Sequence, residues 1–563
     1  MTILVEKNVE QHASDGVTLR ADVYRPDDDA AHPVLLCRTP YGKEGMLVAV
    51  EADAPLLTMV EHGYAVVVQD CRGTGASDGV FRVLDDEGDD GVDAVEWCAA
   101  QPWSTGRVGM FGGSIRLDHA VRRRVPCTRG VRVIAPSVAP AFFHGDLAYR
   151  GGAFVLATAL EWSFDRAEDQ RSRSTGQAPR YGASRALLDR APLLPAPELD
   201  SPAGAHYATW LAHPDRDDYW DAYSYDGFYD RVTTPALHVA GWYDLFLGST
   251  IANYEGLRDR AATTEARANQ QLVIGPWSHA NRLGRFADRS FGPAGMAPAG
   301  LHEQQLALFD CFLRDGAPPL AAPVRIFVMG RDEWRDEADW PLRDTDYRPL
   351  YLHGGARLAF DLPAGAGADD AGADSYEYDP RDPVPTLGGA TLIAYELNEG
   401  PVDQRANDHR ADVLRYVSDA LTEPLEVTGP VRFVAHVSCS TPDTDLTATL
   451  SDVWPDGRAI LLTDGILRLR YRDSPSAPRP MTPGEVAEVE VDLWATSNVF
   501  LPGHRIRLDV SSSSFPRYDR NPNTGGVIAE EGEERMRVAE VTLHRDAAHP
   551  SHLVLPVIPV RAG

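Results

Sequence analysis

Lysine is almost missing from this chain. Of the 54 basic residues only Lys7 and Lys43 are lysines, and the rest are arginine. Set against 83 acidic residues, they leave a net charge of −29. A field of that sign repels nucleic acid and anionic lipid, so neither is an expected partner. Arginine in place of lysine fits a GC-rich gene.

Cysteine pairs are missing too. Cys37, Cys71, Cys98, Cys127, Cys311 and Cys439 stand apart with no CxxC spacing. This excludes a disulfide framework or a zinc knuckle and predicts reduced, buried thiols. No uninterrupted run of about 18 apolar residues occurs, so no membrane-spanning helix is expected. The opening MTILVEKNVEQHASDG has no basic start followed by an apolar stretch. No signal peptide is therefore expected, and the location is expected to be cytoplasmic. Internal repeats are absent.

What is present is a globular composition, 43% hydrophobic and 24% charged in 563 residues. That length exceeds one core and predicts about three domains. Disorder is expected only around Ala364–Asp374, rich in Gly, Ala and Asp,.

In the first third, short apolar runs each end at a turn: PVLLCRTPYG (33–42), AVVVQDCRGTG (65–75), RVGMFGGS (107–114) and VRVIAP (131–136). Helical patterns lie between them, as over Asp86–Gln101. Buried strand, helix, buried strand predicts a parallel sheet covered on both faces. Residues 144–235 are rich in Arg, Asp, Tyr and Trp at helical spacing and predict a helical insertion. Strand signals return at PALHVAGWYD (235–244) and QLVIGPWSH (271–279), and an amphipathic helix is predicted over 300–316,. Beyond about 346, alternating segments such as VRFVAHV (431–437), EVEVDLW (488–494) and RIRLDV (505–510) are separated by turn residues. Period-two alternation of this kind predicts an antiparallel sandwich of jelly-roll type.

Functional side chains of an open parallel sheet gather beyond the carboxyl ends of its strands. Ser114, Asp244, His279 and Tyr41 all sit there, and Ser, Asp, His is the chain order of α/β-hydrolases,. A serine hydroxyl needs a base, and an imidazole titrates near neutrality. A carboxylate would hold that imidazole in the right tautomer. The Ile115 amide and the Tyr41 hydroxyl are candidate oxyanion donors. Taken singly, each has a plainer role: Ser114 a turn residue, Asp244 a helix cap, His279 a loop histidine, Tyr41 a packed aromatic.

Together with RTPYGK (38–43), QDCRGTGASDG (69–79), AGWYD (240–244), GPWSH (275–279), PVRIFVMGRDEWRDE (323–337) and NVFLPGHRIRLDVSSSSFPRYDRNPNTG (498–525), these residues resemble the cocaine esterase/X-prolyl dipeptidyl-peptidase group, the CocE/NonD hydrolases. The resemblance implies an α/β-hydrolase core (1–143 and 236–345), a helical cap insertion (144–235) and a C-terminal jelly-roll β-sandwich (346–563). It implies Ser114 as nucleophile, Asp244 as acid and His279 as base, with Tyr41 and Ile115 as the oxyanion hole. Trp162 and Phe246 become candidate walls of the acyl pocket. The implied partner is a small-molecule ester or amide, with no metal and no organic cofactor, and a homodimer is allowed for. Alternatives are an X-Pro dipeptidyl-peptidase activity and a non-catalytic binding relative. Relatives acting on α-amino groups carry an acidic cluster, whereas Leu245, Phe246 and Leu247 follow the acid here and favour a neutral acyl group.

One stretch breaks the pattern. The family elbow reads Gly-x-Ser-Tyr-x-Gly, but Ser114 is followed by Ile115, Arg116 and Leu117, so the more general GxSxG fails as well,. Arg122, Arg123 and Arg124 span about 200° of a helix, which would force a guanidinium into a buried face. Pro126 would end that helix early. The resemblance resumes at VRVIAPSVAP (131–140) with unchanged spacing. Two compensating reading-frame slips would leave this signature, as would divergence towards an inactive relative.

Overall fold

The computed structural model of the chain describes residues 1–47, 55–83, 85–114, 130–297, 300–316, 322–363, 372–392 and 399–559. The stretch Ile115–Val125, most of the Ala364–Asp374 segment, and Cys127 lie outside the described residues. A strand, Ala373–Tyr378, begins at the end of that second segment.

Ten strands form the first sheet. They are β1 (Ile3–His12), β2 (Thr18–Pro26), β3 (His32–Thr39), β4 (Ala65–Asp70), β5 (Ser104–Gly113), β6 (Val131–Ser137), β9 (Ala236–Tyr243), β10 (Gln270–Ser278), β11 (Val324–Val328) and β12 (Glu333–Glu337). Their spatial order is β1-β2-β4-β3-β5-β6-β9-β10-β11-β12. From β4 to β11 neighbouring strands run parallel. The pairs β1–β2, β2–β4 and β11–β12 are antiparallel. This is the strand order of an α/β-hydrolase core.

The sequence makes these strands for a simple reason. In β4 and β9 every residue is buried, because helices cover both faces of the parallel block,. A continuous apolar run is what such a strand needs. The helices Glu87–Ala100 and Leu301–Leu313 lie where the spacing predicts them. Two apolar clusters flank the sheet, one around Val67, Val95 and Ile134, the other around Val66, Phe111 and Phe309.

Between β6 and β9 the chain is mostly helical. A helix at Leu156–Thr175 contains EWSFDRAEDQRSR, and a shorter one at His206–Ala212 ends at the HPDR turn. The region also holds a small hairpin, β7 (Tyr149–Arg150) with β8 (Ala153–Phe154), where the sequence pattern shows no strand. Gly151 and Gly152 turn it at φ of 53° and 82°,.

The second half is an eleven-stranded, mainly antiparallel β domain running from Asp346–His353 to His552–Ile558. The alternating segments of the sequence fall in its strands Leu425–Cys439, Ala487–Phe500 and Arg505–Ser511. Trp242 and Tyr243 at the end of β9 share one apolar cluster with Leu461, Val491 and Val499 of this domain. The domain therefore backs directly onto the strand that carries Asp244. Among the described residues no cysteine is in a disulfide; four of the five are buried, and Cys311 is half-buried, which departs from the all-buried expectation. No described helix is long and apolar enough to cross a membrane.

Candidate active site

Four strand ends meet at one cavity. It has a volume of about 270 Å³, and its lining includes Tyr41, Ser114, Trp162, Phe246 and His279. Five of the residues singled out in the sequence thus come together, and the sixth and seventh complete the account: Asp244 is bonded from behind to His279, and Ile115 lies outside the described residues.

Ser114 follows β5 directly. Its φ is +59°, in the left-handed region that a residue with a Cβ seldom occupies,. Its N–H donates to the Ser137 carbonyl at 2.9 Å, which fixes the turn to the end of β6. Strain held by its surroundings is typical of a serine presented at the tip of a strand. Thus Ser114 has a left-handed backbone although the GxSxG pattern is missing from the sequence. Val138, just after β6, adopts φ +45° as well and lines the same cavity. For a β-branched residue this is a true outlier, and no local sequence signal marks it.

Asp244 follows β9 and is fully buried. It does not cap the helix that comes after: the cap position of Leu247–Arg260 is Phe246, without a side-chain bond. Instead Asp244 Oδ1 accepts from His279 Nδ1–H at 2.8 Å. Its Oδ2 has no hydrogen-bond partner among the described residues and is shut from solvent. A carboxylate in that position has its remaining charge to offer to the imidazole. His279 follows β10, and Phe246 packs its ring edge-on against it at 5.4 Å between centroids. The close approach of β9 and β10 depends on Gly241, since a Cβ there would lie 2.2 Å from the Trp277 carbonyl oxygen.

The His279 loop has a further anchor. The Ser278 hydroxyl donates to Glu399 at 2.6 Å and accepts from the Asn281 N–H at 3.0 Å. Burial raises the Glu399 carboxyl above its ordinary range,. Glu399 arrives from far along the chain, so no local pattern could reveal it.

Tyr41 follows β3. The turn is held by Lys43, fully buried, whose N–H and ammonium both reach Asp70, at 2.7 and 2.8 Å. The Trp162 indole N–H donates to the Tyr41 hydroxyl oxygen at 3.1 Å. Val138, Leu147, Leu245 and Leu392 add apolar wall, and Thr158 adds a hydroxyl. Leu247, by contrast, is buried in the cluster shared with the β domain. Arg282 also lines the cavity, and nothing in its sequence context marks it. Among the described residues no group of His, Cys, Asp or Glu is arranged to hold a metal ion.

The profile of the X-Pro dipeptidyl-peptidase family (S15) matches residues 15–281, and that of its C-terminal non-catalytic domain matches 320–554. The cocaine esterase of Rhodococcus sp. (strain MB1 Bresler) is 43% identical, over 98% of both chains. The chain belongs to the cocaine esterase/S15 family of serine hydrolases. A putative serine esterase of Mycobacterium tuberculosis is 27% identical over 97% of this chain and 94% of its own. Among solved structures, an α-amino acid ester hydrolase is 27% identical with a TM-score of 0.85, covering 99% of this chain and 96% of that one. An aminopeptidase from a marine-sediment Thaumarchaeota archaeon is 26% identical with a TM-score of 0.86 and the same coverage. As a cocaine-esterase-type hydrolase the chain cleaves esters or amides, and the α/β core with a C-terminal β domain is the family architecture.

Proposed function

We propose that Ser114 is the nucleophile, His279 the general base and Asp244 the residue that orients it. The Ser114 hydroxyl attacks the carbonyl carbon while its proton passes to His279 Nε2. The imidazolium, stabilised by Asp244, returns that proton to the departing alcohol or amine. Water, deprotonated by the same imidazole, then attacks the acyl-serine, and the acid leaves. The Tyr41 hydroxyl and the Ile115 amide serve as oxyanion donors. The observation that carries this reading is the strained Ser114 sharing one cavity with His279, itself bonded to a buried carboxylate.

The acyl group is neutral and apolar, held by Leu147, Leu245, Phe246 and Leu392, with Trp162 as a wall. Residues 144–235 act as the cap over this pocket, between core segments 1–143 and 236–345, and 346–563 form the jelly roll. The substrate is a small carboxylic ester. The named relatives, a cocaine esterase and an α-amino acid ester hydrolase, support that class. An X-Pro peptide is the second reading, favoured by the aminopeptidase relative. Against it, no carboxylate lines the cavity among the described residues to meet an N-terminal ammonium. Stopped-flow release of p-nitrophenol from a short-chain ester tests the choice. A burst abolished by Ser114→Ala supports the esterase reading, and turnover of an X-Pro p-nitroanilide with no ester burst would replace it.

A further inference from the structure

Trp162 and Arg166 stand one helical turn apart on Leu156–Thr175, so both face the same neighbour,. That neighbour is Tyr41. Trp162 holds its hydroxyl at 3.1 Å. Arg166 lies over its ring, with the guanidinium carbon 4.8 Å from the ring centre. The same guanidinium donates to the carbonyl of Pro40 at 2.9 Å, gripping the peptide just before Tyr41. Its ion pair with Asp169, at 2.8 Å, aims the side chain back over the helix. Arg166 is buried, while Asp169 remains half-buried, so the arginine charge is less screened by water than its partner's,.

We propose that Arg166 is a positioning residue for the reaction, fixing Tyr41 from the cap helix and adding positive charge behind the oxyanion that the Tyr41 hydroxyl meets. This rests on the reading of Tyr41 as an oxyanion donor. A rigid phenol is a better donor because it costs no reorganisation when charge appears. Trp162 occupies an acceptor site of the hydroxyl oxygen and fixes where that oxygen sits. Arg166 prevents the ring from swinging and places a permanent charge one ring away from the developing anion. The oxyanion donor belongs to the core, but its orientation belongs to the cap. A displaced cap therefore loses the donor geometry along with the pocket roof.

The test uses the full-length protein with Arg166→Met, Arg166→Lys, Tyr41→Phe and the Arg166→Met/Tyr41→Phe double variant, each with its melting temperature checked. Kinetics use a neutral p-nitrophenyl ester, and an alkyl boronic acid mimics the tetrahedral adduct. Arg166→Met is expected to lower kcat about tenfold, below the 10²–10³ typical of deleting an oxyanion donor. KM should stay within about twofold and boronate affinity should fall by the same factor as kcat. Arg166→Lys should recover part of both. In the Tyr41→Phe background, Arg166→Met should cost clearly less than it does in the wild type, because only its charge still acts on the oxyanion. An equal loss in that background, or a rise in KM with kcat unchanged, would overturn the proposal and leave Arg166 as a support of the pocket. Unchanged kcat in Tyr41→Phe alone would instead overturn the donor reading beneath it.

Discussion

His279 donates through Nδ1–H to Asp244 Oδ1 across 2.8 Å, joining the loop after β10 to the loop after β9. Because Asp244 is fully buried and its second oxygen has no hydrogen-bond partner among the described residues, the imidazole receives a carboxylate that water does not screen. Asp244→Asn keeps the shape and loses the charge and the tautomer preference. It is expected to lower kcat on the order of 10⁴-fold with the fold intact. Burst kinetics alongside circular dichroism check this; a loss below tenfold would show that His279 works without its carboxylate.

A second carboxyl near the site predicts how stability varies with pH. Asp146 accepts from the Ser249 hydroxyl, on the helix that follows Asp244. Burial is the main cause that pushes its carboxyl up to about 7, from an ordinary 3.8,. The fold therefore favours the protonated form. That contribution is complete below pH 4 and is lost as pH rises through about 7. Relative to Asp146→Asn, the wild type should lose up to about 4 kcal/mol between pH 4 and pH 8. Urea midpoints of both proteins across that range measure it, and parallel curves would refute it.

The turn that carries Tyr41 depends on one of the two lysines. Lys43 and Asp70 form a fully buried pair at 2.8 Å. Removing one partner of such a pair costs about 3–5 kcal/mol. Lys43→Met is expected to destabilise by that amount and to lower kcat through a misplaced Tyr41. In the intact protein an amine-reactive ester should modify Lys7, which is partly exposed, and spare Lys43. Mass spectrometry distinguishes the two sites.

The break after Ser114 has a test in the gene. Two compensating slips predict that a shifted frame between codons 114 and 131 encodes a tyrosine-containing, small-residue helix. Resequencing the locus and translating the alternative frames decides it. If no frame yields such a segment, the Arg-rich stretch is genuine divergence.

Much of the catalytic half is legible because its strands are buried on both faces. Such strands need a short apolar run, and β3, β4, β5, β6, β9 and β10 each contain one,. The residues after four of them are Tyr41, Ser114, Asp244 and His279. The β1–β2 hairpin carries no such signal: its alternation is broken by a register shift between Glu6 and Val9, where Asn8 turns to φ +54°,. The Arg166–Tyr41 stack, the Lys43–Asp70 pair and the Glu399 anchor were equally hidden. Each ties a charged side chain to a partner distant in the sequence, and periodicity records only which face of an element is apolar. The strain at Val138 was hidden for the opposite reason, since valine ordinarily signals a strand,.

Labelling with a fluorophosphonate probe, followed by peptide mass spectrometry, tests the central claim without any assumption about the substrate. A single covalent adduct on Ser114 is expected, absent in Ser114→Ala and strongly slowed in His279→Ala. A folded protein that takes up no label, or takes it at another serine, would contradict it.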